Sequence, residues 1–230
     1  MQNQYFGDIS DFYKYYFLKN ISLEYKLGIN WLLTPNDGSN AGKHIITKRK
    51  DVKLIDEKLY MILEKSILIN DRNILNIEKD YFNNNTKYFN DLYEKYFLEG
   101  IYEENAFNYL INQDIIYFDP DNGIEIESIK KGNKYKYLSY RQILRYWNEN
   151  KSLIIFQFKD FKKYSIYDKF KNLIECLKCL EENILIINIE RVYYFCLINN
   201  NHKGLKNNIL NFIDNNKELK YNIIKSAHLA

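Results

Sequence analysis

Two prolines, eight glycines and three cysteines in 230 residues are the scarcities of this chain. So few breakers exclude a Pro/Gly-rich linker or a collagen-like repeat. An odd and small cysteine count argues against the disulfide framework of a secreted domain. No uninterrupted apolar run approaches the ~20 residues needed to span a bilayer. Asp8, Asp11, Lys14 and Lys19 interrupt any apolar leader, so no signal peptide is expected and the expected location is cytoplasmic, without a membrane partner. Charge of one sign is also missing: the formal net charge is +3, which permits nucleic acid as a partner without requiring it. What remains, 46% hydrophobic and 27% charged residues, is the composition of a globular protein. One domain over residues 1–230 is expected from its length.

The scarce prolines fall in two matching places. Ile115, Ile116, Tyr117 and Phe118 form an apolar run that stops at Asp119, Pro120, Asp121, Asn122 and Gly123. The segment from Gly28 repeats the arrangement, with an apolar run followed by Thr34, Pro35, Asn36, Asp37 and Gly38. Continuous apolar runs of four or five residues fit buried strands of a parallel sheet, and the Pro/Asn/Asp/Gly clusters fit strand exits. Both turns would bring carboxylates and amides to the carboxyl edge of the sheet, where open α/β sheets bind ligands.

Around these strands the periodicity predicts helices within residues 2–27 and over 53–65, 89–97, 103–110, 140–147, 167–180 and 205–213. Strands are expected at 29–33, 72–77 (ending at Glu78), 115–118 and 152–156, and a hairpin at 184–189 and 192–198. Residues 124–136 read as a polar loop. Strands alternating with helices imply a mostly parallel sheet with helices on both faces, here ending in an antiparallel hairpin. This order is similar to that of the Rossmann-like, class I methyltransferase fold.

Three short motifs sharpen the likeness. Gly7, Asp8, Asp11, Lys14 and Tyr15 stand on the first helix, Thr34 and Gly38 in the first turn, and Asp119, Pro120, Asp121 and Asn122 after the central strand. In this order they resemble the ribosomal RNA large-subunit methyltransferase J family, which methylates adenine N6. The resemblance implies an S-adenosylmethionine pocket bordered by Gly7, Asp11, Lys14, Thr34, Asp37 and Gly38, with Glu78 at the next strand's end. It implies a catalytic turn of Asp119, Asp121 and Asn122, in which Asp119 holds the target amine. Asp121 stands where the family has a second proline, and Asn122 where it has the aromatic ring that stacks on a flipped base.

Other patterns carry other chemistry. Lys130, Lys131, Lys134, Lys136, Arg141 and Arg145 interleave with Tyr135, Tyr137, Tyr140, Tyr146 and Trp147 without one acidic residue. Cations neutralise phosphates and aromatic faces stack on bases, so this segment is the expected nucleic-acid contact. Asp119 and Asp121 with Glu125 and Glu127 offer an alternative, a Mg²⁺-dependent nuclease or phosphoesterase. A third alternative is a non-catalytic nucleic-acid or protein binding module on the same fold. Gly38, Gly42 and Lys43 do not make a P-loop, because three residues rather than four separate the glycines and His44 follows the lysine. Cys176, Cys179, Cys196 and His202 superficially spell a zinc set, but the first two fall in an amphipathic helix and the third in an apolar strand.

Overall fold

The computed structural model describes residues 1–38, 44–93, 99–126, 129, 131–158, 166–189, 192–219 and 221–224. In chain order the elements are α1 (Ile9–Ile21), β1 (Leu27–Asn30), α2 (Glu57–Leu68), α3 (Leu75–Glu78), β2 (Lys87–Phe89), α4 (Glu99–Leu110), β3 (Ile115–Phe118), α5 (Tyr140–Asn148), β4 (Ser152–Phe158), α6 (Ile166–Leu177), β5 (Ile184–Ile189), β6 (Val192–Leu197), α7 (Lys203–Asn215) and β7 (Asn222–Ile224). The strands form one mixed sheet in the order β2-β1-β3-β4-β6-β5-β7. β2, β1, β3 and β4 run parallel, β6 returns antiparallel against β4 and β5, and β7 closes the far edge antiparallel to β5.

Side-chain alternation divides the core in two. Ile115 and Tyr117 of β3, Ile154 and Phe156 of β4, and Tyr194 and Cys196 of β6 face one cluster, shared with residues of α1, α2 and α7. Ile116 and Phe118, Leu153 and Ile155, and Phe195 and Leu197 face the other, shared with residues of α4, α5 and α6. The period-2 alternation of a pleated strand explains why runs without a polar residue were needed: both faces are covered.

The expected α/β architecture with a terminal hairpin is present. Two element assignments are corrected. Residues 72–77 form no strand; Leu75–Glu78 is a short helix. The second strand is Lys87–Phe89, ending on the first residue of the stretch 89–97 read as helical; residues 90–93 form no helix, and 94–97 lie outside the described residues. A three-residue edge strand carries too short a pattern to compete with the helical spacing around it. Gly28 does not end the first helix but lies inside β1, where a Cβ would meet Ile116 and Gln113 side chains at 3.0 and 3.1 Å.

Residues 124–136 are more ordered than a polar loop. Ile124 bridges Leu138, and the amides of Asn122 and Glu125 donate to the carbonyls of Lys136 and Leu138 at 2.9 Å each. Lys131–Lys136 is a 3₁₀ helix. Ser139 then caps α5 with a reciprocal Ser139–Gln142 box. The basic segment is thereby folded back onto the Asp119–Gly123 turn.

Candidate functional site

The parallel strands β1 and β3 end side by side, and the Asp119 amide donates to the Asn30 carbonyl (3.1 Å). Beyond Asn30 the chain makes an unusual turn: Leu32, a branched residue, has φ +44°. Such a left-handed residue costs on the order of 1–3 kcal/mol and persists only where its surroundings hold it. Here the turn presents the carbonyls of Trp31 and Leu32, with that of Asp119, to one point. The amino group of Met1 occupies that point, donating to the three carbonyls at 3.2, 3.0 and 2.7 Å. It also pairs with the Asp121 carboxylate at 3.0 Å.

Asp121 is held further by the Thr34 hydroxyl and by the Gln2 amide (3.1 Å). Burial pushes its pKa up, but the ammonium, the hydroxyl and the amide outweigh this and hold it below the usual carboxylate range. The same Gln2 amide reaches Asp37 at 3.4 Å, so the two turns converge on one side chain. Gln4 donates to Asp37 at 2.6 Å. Asp37 itself stays partly exposed, with Lys136 4.0 Å away.

Beneath this rim lies a buried charge cluster supplied by α1. Lys14 sits 2.7 Å from Asp11 and 2.8 Å from Asp119, all three side chains at most 5% exposed. Asp11 also accepts the Gly7 amide (2.9 Å), which the positive φ of Gly7 (+94°) makes possible. Desolvation opposes charge on Lys14, but the two carboxylates prevail and raise its pKa. Desolvation raises that of Asp11 despite Lys14. Lys14 is further enclosed by the rings of Tyr15, Phe156 and Trp31, with centroids 4.8, 5.5 and 6.0 Å away. The buried hydroxyls of Tyr15, Tyr117 and Tyr194 find no hydrogen-bond partner. Burial, with the nearby carboxylates, keeps these phenols protonated well beyond their usual range.

The expected residues therefore divide. Gly7, Asp11, Lys14, Thr34, Asp37, Asp119 and Asp121 belong to one connected network. Gly38 is exposed, with open space around its Cα. Asn122 is exposed on the outer side of its turn. Glu78 stands on α3 rather than at a strand end, and accepts from Trp31 Nε1 (2.6 Å) and Asn90 (3.1 Å). The Asp119 carboxylate is turned inward to Lys14; its backbone carbonyl is what faces the rim.

Among the basic residues, Arg141 is paired with Glu103, and Arg145 with Glu104 at 2.7 Å while covering the Phe107 ring at 3.7 Å. Both partners come from α4, so these two arginines find their counter-charges elsewhere in the chain. Lys134 is exposed. Lys131 begins the 3₁₀ helix, and Lys130 lies outside the described residues.

Several residues of the site carried no readable signal. Met1, Gln2, Trp31 and Leu32 act mainly through backbone groups or single amides. Gln157 of β4, fully buried, accepts the Ile124 amide at 2.9 Å and fills the space beside Gly123. A polar residue inside an apolar strand was its only mark.

For a metal ion the arrangement is unfavourable. Asp119 and Asp121 are each compensated by an ammonium group rather than gathered around a shared point. Among the described residues no group of three His, Cys, Asp or Glu is placed to hold a metal ion. The three cysteines are free, with Cys196 buried in β6, and His202 instead meets Ser152 Oγ at 3.0 Å. Among the described residues no helix is long and apolar enough to cross a membrane. No family model, no curated protein and no solved structure matches this chain.

Proposed function

We propose that this chain is a class I methyltransferase-like protein that binds S-adenosylmethionine at the carboxyl edge of β1 and β3 and transfers its methyl group to a nucleic acid. The observation that carries the reading is the cradle of three carbonyls and one carboxylate. It is built for a primary ammonium group and holds a methionine, with the thioether of Met1 3.6 Å from Lys14 Nζ. With Met1 displaced, Lys14, paired with Asp11 and Asp119, leaves the buried Asp121 without its ammonium partner, so a ligand replacing Met1 there must bring positive charge. A sulfonium with an α-ammonium does so. Two further observations support the fold assignment: the antiparallel β6 inserted between β4 and β5, and the helices on both faces.

Within this reading the backbone carbonyls of Trp31, Leu32 and Asp119 orient the amine end, and Asp121 supplies the counter-charge with Thr34 steering it. Lys14 holds Asp119, and through it the turn, in place. When bound, the cofactor would supply an electrophilic methyl group. Nucleic acid would be met by Lys134 and Lys136, since Arg141 and Arg145 are committed to α4.

Calorimetry of the full chain with S-adenosylmethionine tests the cofactor assignment. One-to-one binding is expected, and no heat up to millimolar concentration removes the proposal. A second reading, a binding module without chemistry, is favoured by one observation: Asn122, at the position of the family's stacking ring, is exposed. Transfer of labelled methyl from the cofactor to DNA or RNA separates the two. The enzyme reading expects transfer that is lost in Asp119→Asn, with folding verified by circular dichroism.

A further inference from the structure

We infer that residues 1–5 form a strap that closes the amine cradle in the ligand-free protein and must lift for a ligand to enter; this rests on the cofactor reading above and concerns the regulation of the same site. The strap has no strand pairing. Its grip on the site is the buried Met1 side chain, which joins the core, and a set of polar contacts: the Met1 amino group in the cradle, the Met1 carbonyl accepting the Thr34 amide at 2.8 Å, and Gln2 across Asp121 and Asp37. The Gln4 amide donates to Asn36 Oδ1 at 3.1 Å, and its side chain to Asp37.

A second set of contacts, outside the cradle, sets how firmly the strap is held. Asn3 Oδ1 accepts the Ile74 amide at 3.1 Å, and Arg72 donates to the Gln4 carbonyl. The next residue, Phe6, is fully buried with its ring centroid 6.1 Å from that of Tyr15, and Gly7 follows at φ +94°. An anchored aromatic residue and a left-handed glycine mark where motion would stop. Ahead of them, the contacts to Asp121 and the three carbonyls are of a kind that a ligand's own ammonium could replace, and the acceptor that the Thr34 amide would lose is of a kind that a ligand's carboxylate could replace.

If the strap excludes the ligand, the apparent affinity is the intrinsic affinity reduced by the fraction of open protein. Weakening the outer contacts should therefore tighten binding without touching the cradle. The experiment uses the full chain, Asn3→Ala, and Asn3→Ala with Arg72→Ala. Hydrogen exchange is read at the Thr34 and Gln4 amides, alongside calorimetry with S-adenosylmethionine. Faster exchange at Thr34 and Gln4 in the variants, unchanged protection in α1, and affinity about ten-fold tighter are expected.

Faster exchange with unchanged or weaker affinity would overturn the strap as a gate. So would Thr34 and Gln4 amides that exchange only as slowly as the core strands in every form. If no form binds the cofactor while the variants deprotect Thr34 and Gln4 selectively, the cofactor assignment falls. The strap then stands as the closure of a site for another ligand with an ammonium group.

Discussion

Lys14 shows how one side chain can set the cost of a site. Two carboxylates are buried with it, and taking it away leaves both without a counter-charge in a region that water does not reach. Breaking a buried pair in this way costs about 3–5 kcal/mol. Lys14→Met should lose stability on that scale in urea unfolding at pH 8. Burial already raises the Asp11 pKa against the pull of Lys14, and in the variant that pull is gone. Protonation of Asp11 on lowering the pH therefore relieves the variant, and the deficit should be smaller at pH 5. An equal deficit at both values would mean that the charges are compensated by something else.

Gly123 is the other single residue on which the geometry leans. Its φ is +79°, and an added Cβ would fall 2.1 Å from the Gln157 amide oxygen. Strain and overlap add, so Gly123→Ala should destabilise by about 2–4 kcal/mol. Gln157→Ala would free the space but orphan the Ile124 amide. In the double variant the two losses should therefore fall short of additivity, as a denaturation cycle would show.

At the scale of elements, α1 brings Asp11 and Lys14 into the site from a helix that is almost wholly enclosed. Asp8 stands at its N-cap without capping it, and its Oδ1 is buried without a partner. Burial, then the neighbouring Asp11, raises its pKa to about 7 despite Arg72 and Lys14. With the folded value above the unfolded one, ionisation of Asp8 opposes folding. The penalty grows as pH rises from about 4 to about 7 and is complete above that. Asp8→Asn should accordingly melt a few degrees higher than the parent at pH 8, with the difference closing near pH 4; a lower melting temperature at pH 8 would contradict the assignment.

The amphipathic helices α5 and α6 were legible because their spacing is a local signal. Strand β2 was not, since its three residues are defined only by pairing with β1. The partners of the acid-free run from Lys130 to Trp147 were hidden for a related reason. Arg141 and Arg145 meet acids on α4, more than thirty residues away in sequence for the Arg141–Glu103 pair, and composition within a window cannot see such partners.

For the whole molecule, Asp8 and His202, towards opposite ends of the sheet, have opposite pH behaviour. At the end away from the site, His202 lies against Ser152 and Tyr25. Burial lowers its pKa, with Asp114 opposing and Lys151 assisting. A depressed histidine contributes stability above its unfolded value and loses it as pH falls below about 6.5. His202→Asn should therefore show a flatter decline in melting temperature between pH 7 and 5.5 than the parent, while the Asp8 effect runs the other way.

The sequence by itself determined the α/β architecture, the terminal hairpin and the two turns at one sheet edge. These depend on runs, breakers and spacing within ten or so residues, and the local pattern is sufficient for them. Only the tertiary structure decided that the Asp119 carboxylate turns inward to Lys14 while its carbonyl faces the rim. It alone placed Met1 and Gln2 across both turns. A backbone carbonyl has no residue-type signature, and a contact between positions 1 and 121 is set by how the sheet stacks its strands, not by any pattern along the chain.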